Sequence, residues 1–112
     1  MKQIISQHGW GSDKSIWDNC RNQFQENNWL WQDNERGYFS NSKNKAKWIK
    51  DNSNQKIKLI ISHSLGIHLV EKNILYEASH VVLINSFVNF IPANNKKDFT
   101  VRSLKMMEKK IN

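Results

Sequence analysis

Short apolar runs alternate along the chain with polar stretches of helical or irregular spacing. Gln3 to Gln7, Asn28 to Gln32, Ile57 to Ile61 and Val81 to Asn85 are short runs rich in Ile, Leu, Val or Trp. Runs of this length and composition predict β-strands, and the last two, apolar at nearly every position, predict buried ones. Between the strands the apolar period lengthens. Ile16, Trp17, Cys20 and Phe24 share one helical face, and Ser15 with Asp18 reads as a capping box in front of it. From Leu65 to about Tyr76, Ile67, Val70 and Ile74 recur at helical spacing. A short helix is predicted over Ala46 to Asp51, and a last one from about Asp98 to Ile111 with Val101, Leu104, Met107 and Ile111 on one face. Asp33 to Tyr38 reads as a polar turn, Ser40 to Lys45 and Asn52 to Gln55 as loops. Strands alternating with helices predict an α/β fold: about four parallel strands with helices on both faces, in a single domain over residues 1–112.

Glycine placement sharpens this picture. All four glycines, at positions 9, 11, 37 and 66, fall just after a predicted strand. In parallel α/β sheets the carboxyl ends of the strands are where ligands gather. Two of these turns carry chemistry. His8-Gly9-Trp10-Gly11 is a tight turn whose backbone can approach a ligand. Ser62-His63-Ser64-Leu65-Gly66 is one residue away from G-x-S-x-G, the nucleophile elbow. There a serine takes an unfavourable backbone conformation so that its hydroxyl stands clear of the sheet. The positions two before and two after it need small side chains, because strand and helix pass closely. Gly66 meets that need, and Ser62 is the smallest compromise short of Gly or Ala. The plainer reading of the pentapeptide is a buried strand followed by a serine-capped helix.

Composition narrows the class. At 112 residues and 38% hydrophobic, with five Trp and five Phe, the chain is one small domain with large core pieces. Cys20 is the only cysteine, so neither an intrachain disulfide nor a Cys-rich metal site is expected, and no cofactor is called for. The start, Met1 to Ser6, is too short and polar for a signal peptide, and no apolar run reaches membrane-spanning length. A soluble cytoplasmic protein without membrane association is expected. The formal charge of +7 favours acidic partners, but no zinc-finger spacing or Gly-Phe RNA-binding signature accompanies it, so nucleic acid is not the expected partner. Lys96 to Lys110 reads as a solvated helix face.

His8-Gly9-Trp10-Gly11, the following Trp17, the Asp33 to Tyr38 turn and Ser62 to Gly66 together resemble the N-terminal half of the α/β-hydrolase fold, from about Gln3 to Phe87. Within it, the His-Gly-Trp-Gly loop followed by Trp is similar to the carboxylesterases of biotin synthesis, which cleave pimeloyl-acyl-carrier-protein methyl ester. The resemblance implies a serine carboxylesterase that forms an acyl-enzyme on Ser64. It implies oxyanion donors in the backbone N–H groups of Trp10 and Leu65, with His8, Gly9, Gly11, Ser62, His63 and Gly66 supporting the two motifs. It also implies strands paired in the order second, first, third, fourth, and a lid-like helical region beginning at about 92–112. The substrate would be a small acyl ester, in that family carried on acyl carrier protein, whose acidity a basic surface suits.

The resemblance also implies what is missing. In that family the acid and the base follow later strands, in the order Ser, Asp or Glu, His. Of the histidines here, His63 precedes the serine in the elbow, His68 lies a helical turn beyond it, and His80 lies ahead of the fourth strand. The expectation is a truncated hydrolase that is weak alone, or one completed by a second polypeptide. Its apolar fourth strand, left as an edge, predicts self-association. The alternative is a hydrolase-derived binding module that uses its basic surface without catalysis. Trp10 and Trp17 read as core or pocket wall, Trp29 and Trp31 as sheet residues, and Asp33 and Glu35 as turn residues.

Overall fold

The computed structural model describes residues 1–39 and 42–85. Four strands, β1 (Lys2–Gln7), β2 (Leu30–Asn34), β3 (Ile57–His63) and β4 (His80–Ile84), form one parallel sheet in the order β2-β1-β3-β4. Helices α1 (Asp18–Glu26) and α2 (Lys72–Glu77) complete an α/β fold. The predicted helix at 98–111 and the lid-like region at 92–112 lie outside the described residues. No helix among the described residues is long and apolar enough to cross a membrane.

The alternation within each strand divides the core between the two faces of the sheet. Ile4, Trp31, Leu59, Ile61 and Val82 turn one way, where Trp17 and Cys20 cover them with Phe24 packed alongside. Ile60, Val81 and Leu83 turn the other way, under Ile67, Val70, Leu75 and Ala78. Each face is a contiguous apolar cluster, as a parallel sheet covered on both sides requires. Burial pushes the Cys20 thiol up to about 11, which makes it an inert core residue.

The first helix starts differently from its predicted capping box. Asp13, not Ser15, is the cap: its carboxylate accepts from the Ser15 amide at 2.9 Å and from the Ser15 hydroxyl. A 3₁₀ turn, Lys14–Trp17, then leads into α1. Ile16, expected on the buried face, is exposed because it lies in this turn, whose period differs from that of the α-helix.

The second strand begins two residues later than its composition predicts. Asn28 adopts φ +66°, its amide donates to Gln25 O, and the Trp29 amide donates to Phe24 O. This is a Schellman motif with Asn in the left-handed position usually held by Gly, and Trp29 packs edge-on against Phe24 at 5.4 Å as its hydrophobic partner. Asn28 and Trp29 are therefore consumed in ending α1, so Trp29 is a cap residue and only Trp31 is a sheet residue. At the other end, Asp33 and Asn34 are strand rather than turn. Asp33 accepts from Ser6 Oγ, Trp31 Nε1 and the Arg21 guanidinium, and so ties α1, β1 and β2 together.

Residues 46–51 are not the predicted helix. They form an irregular strap whose backbone is held by side-chain amides on the sheet. Gln3 donates to Ile49 O and accepts from Ile49 N, both at 2.8 Å. Gln32 does the same with Lys47, and Asn34 accepts from Ala46 N. The predicted helix from Leu65 to Tyr76 is also divided, into a 3₁₀ turn (Gly66–Leu69) and α2, by extended backbone at Val70 and Glu71. The break resets the phase, so Leu75 joins Ile67 and Val70 in the core while Ile74 is only packed against it.

Candidate active site

The strand order locates the crevice. The chain leaves β1 toward β2 at one edge and leaves β3 toward β4 at the other, so the carboxyl ends of β1 and β3 form the topological switch point. Both glycine-containing turns meet there. Ser64 follows β3 directly with φ +58°, the left-handed region that a serine adopts only when its surroundings impose it. They do so here: the Ser64 amide donates to Ile84 O of β4 at 2.8 Å. On the other side Gly66 lies so close to β1 that a Cβ there would sit 2.6 Å from His8 O and 3.1 Å from Gln7 O. Ser62, fully buried, is the matching small residue before the turn. Ser64 itself is half-buried and Leu65 is exposed.

The His8–Gly11 loop lies against this turn. A Cβ on Gly9 would meet His63 O at 3.2 Å and the Ser64 Cβ at 3.3 Å, so only a glycine lets the two loops approach without displacement. Gly11 has φ +73°, which turns the chain into the Asp13 cap. Neither the Trp10 nor the Leu65 amide makes a hydrogen bond among the described residues. Trp17 is core as expected, but Trp10 is 79% exposed and stands 6.1 Å from the Tyr38 ring at the mouth of the loop. Burying it would pull the loop off the elbow, since its neighbour Gly9 is fixed there.

His8 is the anchor of that loop. It is buried, with Nδ1 2.8 Å from Gly9 O; a carbonyl only accepts, so Nδ1 carries the proton. Its Nε2 lies 2.9 Å from both the Arg36 amide nitrogen and Glu35 Oε2. Glu35 is the residue that sequence reasoning missed. Read as a turn residue, it is buried, and accepts from the Lys14 amide at 3.0 Å and the Gly37 amide at 2.8 Å. Burial pushes its carboxyl up, but the two amides and the facing His8 outweigh this and hold it below the ordinary value. One carboxylate thus ties together the turns that follow β1 and β2.

The remaining histidines are dispersed. His63 Nδ1 is buried against Gly9 without a hydrogen-bond partner among the described residues, His68 lies in the 3₁₀ turn, and His80 Nδ1 lies 3.0 Å from Ser79 Oγ. Both ring nitrogens of His8 are engaged. No group of three or more His, Cys, Asp or Glu among the described residues is placed to hold a metal ion. Among the described residues, the arrangement brings Ser64 and the glycine loop together, leaves the Trp10 and Leu65 amides without a hydrogen bond, and brings no His–carboxylate pair to the serine. No family model, curated protein or solved structure matches the chain.

Proposed function

We propose that the protein is a carboxylic ester hydrolase of the α/β-hydrolase type, with Ser64 as nucleophile. The observation that carries this reading is the backbone of Ser64. A positive φ at the end of a central parallel strand, at the switch point and against Gly9, is a costly conformation with no evident use in merely capping a short 3₁₀ turn. In the proposed reaction Ser64 Oγ bonds to the acyl carbon, its proton passes to the departing alcohol, and water then releases the acid and restores the hydroxyl. The amides of Leu65 and Trp10 receive the negative charge that develops on the carbonyl oxygen. Exposed Trp10 and Leu65 favour an apolar acyl group, and the basic surface suits an acyl group delivered on an acidic carrier such as acyl carrier protein. Without a His–carboxylate pair at Ser64, turnover by the described residues is slow, since the loss of triad members costs several powers of ten.

The test is hydrolysis of a p-nitrophenyl acyl ester by the full chain. A stoichiometric burst of nitrophenolate followed by a slow phase, absent in Ser64→Ala, supports the reading. Equal rates for wild type and Ser64→Ala contradict it and favour the non-catalytic binding module.

A further inference from the structure

A second concave site lies away from the serine. It has a volume of about 300 Å³, at the lower end of the range for small-molecule sites. Its floor is apolar: Ile5 from β1, Ala46 from the strap, and Val70 with Ile74 from the segment after the elbow. Its rim is cationic, with Arg36, Lys43, Lys45 and Lys47. Two carboxylates also line it, and neither is available to neutralise the whole rim. Both oxygens of Glu35 are held by the Lys14 and Gly37 amides and His8. Glu71 pairs with Lys45 at 3.3 Å. Arg36, Lys43 and Lys47 make no ion pair among the described residues, so the cleft keeps an excess of two positive charges over an apolar base.

The wall that carries the lysines is fixed in advance. Asn44 donates to Asp33 O at 2.7 Å and pairs by its backbone with Glu35, Ala46 donates to Asn34, and Lys47 is held at both its N–H and C=O by Gln32. A ligand that binds there does not have to order the strap, and that raises affinity for a given set of contacts. Exposed Lys43, Lys45 and Lys47 on either side of buried Ala46 set charge at the rim above an apolar base.

We propose that this cleft binds an amphiphilic anion, a carboxylate or phosphate monoester with a short alkyl chain, its head among Arg36, Lys43 and Lys47 and its chain on Ile5, Ala46, Val70 and Ile74. The site does not include Ser64, and the proposal is independent of the reactivity of that residue. The test is titration of the full chain with octyl phosphate at near-physiological salt, followed by calorimetry or amide NMR shifts. Expected is saturable one-to-one binding, with inorganic phosphate and octanol each at least about tenfold weaker, because each supplies only half of the interaction. Lys43→Gln/Lys47→Gln, both exposed, is expected to weaken octyl phosphate about five- to tenfold. Lys50→Gln/Lys56→Gln removes the same charge outside the cleft and is expected to leave it within twofold. Equal weakening by the two double variants, octanol binding as tightly as octyl phosphate, or no saturable binding would each overturn the proposal.

Discussion

The α-carbon of Gly66 packs against the carbonyl of His8 so tightly that a single added methyl group would lie 2.6 Å from that oxygen. The residue after a strand of one motif thus sets the distance to the last helix-side residue of the other, and the serine between them is held at the crevice.

Replacement of Gly66 by alanine therefore forces two backbone carbonyls, His8 and Gln7, to give way, and neither is the end of a flexible side chain. The expected loss in urea unfolding is about 1–3 kcal/mol. Gly11→Ala is a useful contrast. Its Cβ would meet nothing within 4 Å, so only the positive φ opposes it, at about 1 kcal/mol. A Gly66→Ala cost no larger than that of Gly11→Ala would contradict the close approach.

Glu35 predicts an acid-sensitive fold. Its carboxyl is held below the ordinary value of 4.5 in the folded chain. A depressed carboxyl contributes stability above its unfolded pKa and loses it as the pH falls through the folded one. Stability of the wild type is thus expected to decline from about pH 4.5 downward. Glu35→Gln costs on the order of 1–3 kcal/mol at pH 7, because its amide NH₂ meets an N–H donor. Its unfolding midpoint is also expected to vary less between pH 5 and pH 3 than that of the wild type. Parallel pH profiles would assign the acid limb to other groups.

Gln3 holds the strap at both Ile49 backbone groups from a buried position. Gln3→Leu keeps the volume and leaves those groups unpaired, at an expected cost of about 1–3 kcal/mol. Hydrogen exchange should report the loss locally, as faster exchange at the Ile49 amide and unchanged exchange in β3. An unchanged Ile49 rate would mean that the strap is held by other contacts.

These residues also explain how far the fold could be read in advance. The four strands and the small residues flanking Ser64 were legible because each follows from local composition or from a motif that imposes its own sterics; the strand order was implied only by the resemblance. The strap was not. Its partners are side chains 12, 15 and 46 residues away, and Ala46 to Asp51 carry no mark of those pairings. The start of β2 was hidden because Asn28 does the work usually assigned to glycine in closing a helix. Glu35 looked like an ordinary turn acid, since nothing local reveals that His8 and two amides converge on it. Ser15 was mistaken for a cap because Asp13, two residues earlier, competes for its amide.

The central proposal is that Ser64, half-buried at the β1–β3 crevice against the glycine loop, acts as a nucleophile. Reaction of the folded chain with a fluorophosphonate, read by intact mass and peptide mapping, tests it most directly. The account predicts a single adduct on Ser64 that Ser64→Ala abolishes and Gly9→Ala slows, since a Cβ there would press on Ser64. No adduct, or one that persists in Ser64→Ala, would contradict it.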